Sequence, residues 1–288
     1  MNILVLGKNG QVGWELQRTL APLGNIVALG REELDLCKYA EIRRTIRQNQ
    51  PDIIVNAAAY TAVDKAEEQP ELAMTVNGIA PGIMAEEAAR LNACLVHYST
   101  DYIFCGTKNS PYNEEDKANP VNAYGKTKLM GEEAIRKTDA DHLILRTGWI
   151  YGARGINFFL TMLKLIRERD QLTIVNDQYG APTWCRMIAE ATAQLLAQDM
   201  GKKDVRKTYH LSAAGQTSWY GFAVAIKEKI QLKEAVSCDI KPIPTELYKT
   251  QAQRPLYSVL SSGKIKNESG LSLPDWKESL TMFTNGLF

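Results

Sequence analysis

Strand-length apolar runs alternate with helix-length amphipathic segments through the first half of the chain, and this alternation limits the fold more than any other feature. The runs are NILVLG (2–7), NIVALG (25–30), DIIVNAAA (52–59), CLVHYS (94–99) and HLILRTG (142–148), with helical patterns over 11–21, 38–48, 77–91 and 124–138. A strand that is apolar along its whole length is covered on both faces, and helices between such strands imply a parallel sheet. The chain therefore reads as α/β, a doubly wound parallel sheet.

After about residue 150 the pattern loosens into helices at 156–169, 184–199 and 218–230, short strands LTIV (172–175) and KTYHLS (207–212), and a tail punctuated by Pro242, Pro244, Pro255 and Pro274. We expect a larger domain over 1–150, with 180–212 returning to it, and a smaller C-terminal α/β lobe over 151–179 and 213–288. There is no internal repeat and no low-complexity segment.

Composition removes several function classes. A net charge of +1 with 23% charged residues gives no basic surface for nucleic acid, and no apolar run approaches the roughly 18 residues of a membrane span. MNILVLGKNG lacks the basic start and long apolar core of a secretion signal, so a cytoplasmic location is expected. Cys37, Cys94, Cys105, Cys185 and Cys238 are scattered without a CxxC pair or a histidine cluster, which predicts reduced thiols and no metal site.

LGKNGQVG sets Gly7, Gly10 and Gly13 directly after the first strand and before an amphipathic helix. Glycine allows the tight turn and the close approach of a pyrophosphate to the helix N-terminus, where free N–H groups favour an anion. The spacing is GxxGxxG rather than GxGxxG; its position between strand and helix marks 1–150 as a dinucleotide-binding domain. The second strand ends in Gly30-Arg31 instead of an acidic residue, which favours NADPH over NADH through a 2′-phosphate, with NADH still possible beside Glu32 and Glu33. Asp35 is placed either to meet the adenine edge or to cap the helix that starts at Lys38.

Tyr124 and Lys128, in YGKTK, stand i,i+4 and share a face of the helix that begins near Asn122. A Tyr-xxx-Lys pair is expected about once by chance in such a composition, so the spacing alone carries little. This pair, however, follows the strand end Ser99-Thr100 by some 25 residues, at the sheet edge where doubly wound folds bind ligands. A phenol is a poor acid near neutrality, and a neighbouring ammonium lowers its pKa. Thr100 can donate to a carbonyl as charge develops on it, or can simply cap a turn. Together the three groups suit hydride transfer to a ketone.

With these motifs in place the sequence resembles the extended short-chain dehydrogenase/reductases, a Rossmann-type superfamily, and within them the dTDP-4-dehydrorhamnose reductase family. The likeness runs through GKNGQVGWELQ, PDIIVNAAAYTAVDKAE, HYSTDYIF, NAYGKTKLMGE, RTGWIYG, NDQYGAPT and RPLYS, nearly the whole chain. It implies a nicotinamide cofactor held by Gly7, Gly10, Gln11, Val12, Gly13, Arg31, Asp35, Leu36, Ala57, Ala58, Ala59, Tyr124 and Lys128. It also implies reduction of the C4 ketone of a dTDP-linked 4-keto-6-deoxy sugar, dTDP-4-dehydro-L-rhamnose, to dTDP-L-rhamnose for polysaccharide biosynthesis. Tyr124 would be the general acid, Lys128 would hold the nicotinamide ribose, and Thr100 would polarise the carbonyl.

The same resemblance places Thr61, Val63 and Trp149 in the sugar pocket, the indole offering an apolar face to a methyl group unless it only fills core. Asn157 and Arg254 are candidates for the diphosphate by charge and position, with a surface salt bridge as the alternative for Arg254. Three features depart from the family: Tyr60 stands where a histidine is common, PTWCRM (182–187) replaces a small-residue stretch, and Glu15 lacks identifiable partners for the magnesium ion that some relatives hold between subunits. No metal is expected, and a monomer or a homodimer fits equally. The competing readings are another nucleotide-sugar enzyme of the superfamily, such as an epimerase, and a non-catalytic reductase-like regulatory subunit.

Overall fold

The computed structural model describes residues 1–199, 202 and 204–287. Six strands, β1 (Asn2–Leu6), β2 (Asn25–Leu29), β3 (Ile53–Asn56), β4 (Cys94–Thr100), β5 (Asp141–Thr147) and β10 (Arg206–His210), form one parallel sheet in the order β10-β5-β4-β3-β1-β2. The order reverses at β1, whose neighbours β2 and β3 lie on opposite sides. This is the switch point at which doubly wound sheets open a crevice beyond the strand C-termini.

Helices cover both faces. α1 (Gln11–Thr19) packs against α8 (Cys185–Asp199) on one side, while α2 (Tyr39–Asn49), α5 (Ala80–Leu91) and α6 (Ala123–Arg136) form the other. The aliphatic residues of each strand alternate between two clusters: Ile3, Val5, Val55 and Val96 in one, Leu4, Leu6, Ile54 and Leu95 in the other. Period-two alternation with both faces apolar produces the unbroken runs seen in the sequence.

Two differences from the sequence expectation have a clear cause. β3 ends at Asn56, so Ala57, Ala58 and Ala59 leave the sheet as a loop rather than extending the strand. The helix expected over 77–91 begins earlier, running through α4 (Pro70–Met74) and a π-helical turn over Thr75–Ile79 into α5; before them lies the short α3 (Val63–Glu68).

The C-terminal lobe joins small sheets to aromatic packing. β7 (Gln171–Val175) pairs in parallel with β12 (Asp239–Ile243), and α9 (Trp219–Gln231) covers them beside α7 (Phe158–Glu168). Two-residue strands β6 (Ile150–Tyr151) and β9 (Thr183–Trp184) pair with each other, as do β8 (Tyr179–Gly180) and β11 (Thr217–Ser218). α10 (Gly263–Ser269) and α11 (Trp276–Leu287) end the described chain. Tyr151, Phe159, Phe222 and Phe283 make a buried aromatic knot continuous with the α1/α8 side of the main core. No helix among the described residues is long and apolar enough to cross a membrane, and the five cysteines are free.

Candidate active site

A cleft of about 530 Å³ opens beyond the C-termini of β1, β2 and β3. Gly7, Gly10, Gln11 and Val12 line it from the first loop, Arg31, Asp35 and Leu36 from the segment after β2, and Ala57, Ala58, Ala59 and Thr61 from the loop after β3. Each stretch leaves a parallel strand at the same sheet edge, so parallel topology alone gathers them. Gly7 has φ +88°, and a Cβ there would lie 2.7 Å from Ala58 N. Side chains are excluded from the turn, and the backbone of the two loops forms a bare cradle. Gly10 caps α1 without any side-chain hydrogen bond, leaving first-turn N–H groups for an anion.

Gly13 does not reach this cleft. It sits buried inside α1, where a Cβ would stand 2.1 Å from Gly7 O. Its role here is to let the helix close on the loop, a packing requirement rather than a ligand contact.

Asp35 makes neither the expected helix cap nor any ion pair among the described residues. Its Oδ1 accepts from Cys37 N at 3.0 Å, a local turn that lowers its pKa, and Lys38 occupies the cap position of α2. At the end of β2, the Glu33 carboxylate folds back to accept from Gly30 N and pairs with Lys8. Arg31 is left as the exposed cation on the cleft wall.

Across the sheet edge lie Thr100 and Lys128, both buried, and Tyr124, which is half-buried. Asn122 starts α6 by accepting from Gly125 N at 2.8 Å, and its amide donates to Gln253 O at 2.8 Å, tying the helix start to the C-terminal segment. A Cβ on Gly125 would lie 2.2 Å from Tyr102 O, so α6 packs directly on the turn that follows β4. That contact brings Tyr124 to Thr100.

The electrostatics correct one expectation. Lys128 does not lower the Tyr124 pKa in this state: burial pushes the phenol up to about 12, with the Thr100 hydroxyl pulling it down and Asp101 pushing it up. Nζ of Lys128 points instead to Tyr98 O at 2.6 Å and His97 Nε2 at 3.1 Å. Burial brings Lys128 down to about 8. The phenol is therefore held fully protonated, the form a general acid needs.

Thr100 makes the turn cap that was one of the two readings of it, and its hydroxyl hydrogen goes to Asp101. Oγ1 caps the short turn over Asp101–Ile103 by accepting from Tyr102 N at 3.1 Å, and it donates to Asp101 Oδ1 at 3.0 Å. Asp101, a carboxylate at the end of an apolar strand to which the sequence assigned no role, is buried and pushed up to about 6 by desolvation. Its signal was a carboxylate inside an otherwise apolar stretch. Asn56 and His97, two more buried polar residues on the sheet, gave the same signal in IIVN and VHYST.

Of the residues expected to meet the sugar, Val63 opens α3 and is half-buried. Trp149 has a left-handed backbone, φ +50°, and its indole lies flat on Trp219, centroids 3.4 Å apart at 2°. A bulky residue in that region is strained, and such strain gathers at binding sites. Two neighbours hold it: a Cβ on Gly180 would touch the indole at 2.2 Å, and Trp219 Nε1 donates to Gln178 Oε1 at 3.2 Å. Trp219 was missed because it lies 70 residues from its partner. Arg254 donates from Nη2 to Asp64 Oδ2 at 3.0 Å, while its buried Nε has no partner. The expected salt bridge is present, and the buried Nε–H is left without a protein acceptor.

Asn157 is withdrawn as a diphosphate contact. Its Oδ1 accepts from Leu160 N at the start of α7, and its Nδ2 reaches Gln11 Oε1, Gly152 O and Arg154 O at 2.9 to 3.2 Å. A side-chain amide offers no further donor. Asn157 is a buried tie between the glycine loop and the C-terminal lobe.

Of the departures, Tyr60 donates from its hydroxyl to Gln69 at 3.0 Å, and Arg186 of the PTWCRM stretch lies over the Trp184 ring and reaches Glu15, as does Arg18. Two arginines thus neutralise Glu15. No cluster of three potential metal ligands exists among the described residues.

Residues 1–287 match the family model described as the RmlD substrate binding domain. The chain is 48% identical to a dTDP-4-dehydrorhamnose reductase of Burkholderia thailandensis over 100% of this chain and 99% of that one. Among solved structures, the dTDP-4-dehydrorhamnose reductase of Clostridium acetobutylicum superposes with a TM-score of 0.93 at 35% identity, covering 100% of this chain and 99% of the other. That of Bacillus anthracis, solved in complex with NADP, gives 0.92 at 32% identity and 99% of both chains.

Proposed function

The chain belongs to the RmlD substrate-binding-domain family, that of the dTDP-4-dehydrorhamnose reductases, and from that premise we propose that it reduces the C4 ketone of dTDP-4-dehydro-L-rhamnose to dTDP-L-rhamnose, with NADPH as hydride donor and Tyr124 as general acid. The observation that carries the reading is that a side-chain-free dinucleotide cradle and a half-buried, protonated Tyr124 beside Thr100 stand at the C-terminal edge of one sheet.

The cradle fits the cofactor. Bare backbone at Gly7 and Ala58 and the uncapped start of α1 suit a pyrophosphate, and Arg31 suits a 2′-phosphate because Glu33 is already engaged by Gly30 N and Lys8. Leu34 and Leu36 give the adenine an apolar floor, and both are buried. The small side chains of Ala57, Ala58 and Ala59 leave room beside the loop.

At the other end, Tyr124 delivers its proton to the C4 oxygen as negative charge builds there. Thr100 turns its hydroxyl from Asp101 to the same oxygen, and Asp101 keeps the threonine rotor in place until then. Lys128 holds the ribose. Trp149, stiffened by Trp219, presents an apolar face to the sugar, and the free Arg254 Nε meets the diphosphate.

The test is to follow NADPH absorbance with purified protein and dTDP-4-dehydro-L-rhamnose, beside UDP- and GDP-linked 4-keto sugars. Rapid oxidation with the dTDP sugar alone is the expected outcome. No oxidation with any of the three would overturn the proposal.

A further inference from the structure

Between β6 and α7 the chain makes a short arch. Gly152 and Asn157 are its buried feet, and Ala153, Arg154, Gly155 and Ile156 stand exposed between them. Asn157 Nδ2 ties the feet together, reaching Gly152 O at 3.0 Å and Arg154 O at 3.2 Å. The same amide reaches Gln11 Oε1 at 2.9 Å, so the arch is fastened to the first residue of α1. Gly155 takes a left-handed backbone, φ +72°, which turns the crest, and Gly155 and Ile156 line the mouth of the cleft.

Arg154 leaves the arch on the α1 side. Its guanidinium carbon lies 3.5 Å from the centroid of the Trp14 ring. Trp14 sits in the opening of α1, its N–H donating to Gly10 O, and side chains on a helix lean toward the N-terminus. The indole therefore forms a shelf over the turn whose free N–H groups were assigned to an anion, and Arg154 rests on that shelf. A guanidinium lying on a ring face keeps its N–H groups in its own plane, where they still reach an acceptor beside the ring.

The protein itself leaves those donors unspent. Among the described residues the Arg154 side chain makes no hydrogen bond and no ion pair; Asn157 engages only its backbone carbonyl. Glu15, next to Trp14 on α1, is held by Arg18 and Arg186, and Glu33, beside the glycine loop, is held by Lys8. Lys8, Arg18 and Arg186 are thereby neutralised. The cleft is flanked by two cations that are not: Arg31, on the segment after β2, and Arg154, on the arch.

A phosphorylated dinucleotide carries two separate anionic groups, a 2′-phosphate and a pyrophosphate, and Arg31 is already matched to the first. We propose that Arg154 is a cofactor-binding residue that takes the pyrophosphate, joining the N–H groups of α1 on its oxygens while its guanidinium stays on Trp14. The inference rests on the reading of the cleft as a dinucleotide site. It also gives Ile156 a use. That side chain is 97% exposed in the free protein at the mouth of the cleft, and a cofactor lying under the arch would take its apolar surface out of water. The competing account makes Arg154 only a cover for the Trp14 ring, which would show in stability and not in affinity.

The experiment measures Kd by titration calorimetry for NADPH, NADH and ADP-ribose, on the unsubstituted protein and on Arg154→Gln. ADP-ribose keeps the pyrophosphate without the nicotinamide or the 2′-phosphate. Because the three ligands share only that group and the adenosine end, Arg154→Gln should weaken all of them by one common factor, about five- to tenfold. Unchanged Kd values would overturn the proposal and leave Arg154 as a cover for Trp14. Weakening confined to NADPH would put Arg154 at the 2′-phosphate, and weakening confined to NADPH and NADH would put it at the nicotinamide; either result overturns the pyrophosphate role. If the unsubstituted protein bound none of the three, the cofactor reading would fall and this inference with it. Should Arg154→Gln fail to fold, Arg154→Met, which keeps an apolar contact with Trp14 and drops the charge, decides by the same outcomes.

Discussion

The regions proposed for the cofactor and for the sugar are built from opposite materials. On the cofactor side, glycines, alanines and the start of α1 present backbone, and each contributing stretch leaves its own strand of one sheet. On the substrate side, side chains far apart in the chain hold one another: Trp149 on Trp219, Arg254 on Asp64, Asn122 on Gln253. The first wall is local and needs only the parallel sheet to assemble it. The second exists only once the C-terminal lobe has docked, and a strained Trp149 backbone is tolerated there because Gly180 and Trp219 over-determine it.

The largest effect is expected at the proposed general acid. Tyr124→Phe should lower kcat at least ~10²-fold, the usual contribution of a positioned proton donor, with NADPH affinity retained. Near-normal turnover in steady-state assays would remove Tyr124 from the chemistry. Next comes the cofactor wall: Gly7→Ala forces a side chain into a left-handed backbone and against Ala58 N. At about 1–3 kcal/mol of strain, the NADPH Kd should rise about ten- to hundredfold in fluorescence titration. An unchanged Kd would mean that this loop does not form the cradle.

The substrate wall should respond differently. Trp219→Leu removes a stacked aromatic partner worth roughly 1 kcal/mol, so the KM for the sugar nucleotide should rise several-fold, to about tenfold with added disorder, while the KM for NADPH stays put. Equal changes in both would erase the division between the walls. Arg31→Ala is expected to weaken NADPH by about fivefold more than NADH, the value of an exposed charge contact. Equal weakening would sink the 2′-phosphate role.

The smallest effect concerns stability. The Asp101 carboxyl is pushed up to about 6 from an ordinary 3.8, so the folded chain holds that proton more tightly than the unfolded chain. The resulting stabilisation is complete below about 3.8 and is lost as pH rises through 6. Asp101→Asn should flatten the dependence of Tm on pH across that window. A parallel pH dependence in both proteins would show that desolvation of Asp101 is relieved by other means.

Much of the fold was legible because it rests on periodicity. The runs at 2–7, 25–30 and 94–99 became β1, β2 and β4 within a residue or so, since a strand buried on both faces has no polar positions to disguise it. The run at 52–59 was read too long because alanine is apolar in a loop as well as in a strand. Gly13 and Asn157 were read as ligand contacts from motif and position, yet one packs α1 on its own loop and the other is spent on hydrogen bonds. Residue type does not say whether a backbone gap or an amide is already filled.

By itself, the sequence determined the doubly wound class, the glycine turn, and the pairing of Tyr124 with Lys128 on one helical face, because these depend on periods of two and 3.6 residues and on the freedom of glycine. Tertiary structure alone decided which way Lys128 Nζ points, that Asn56 and His97 stand behind it, that burial raises rather than lowers the Tyr124 pKa, and that Trp149 finds Trp219. Each of these depends on which groups from distant segments share a space without water, and desolvation and donor–acceptor matching are set by that company rather than by order along the chain.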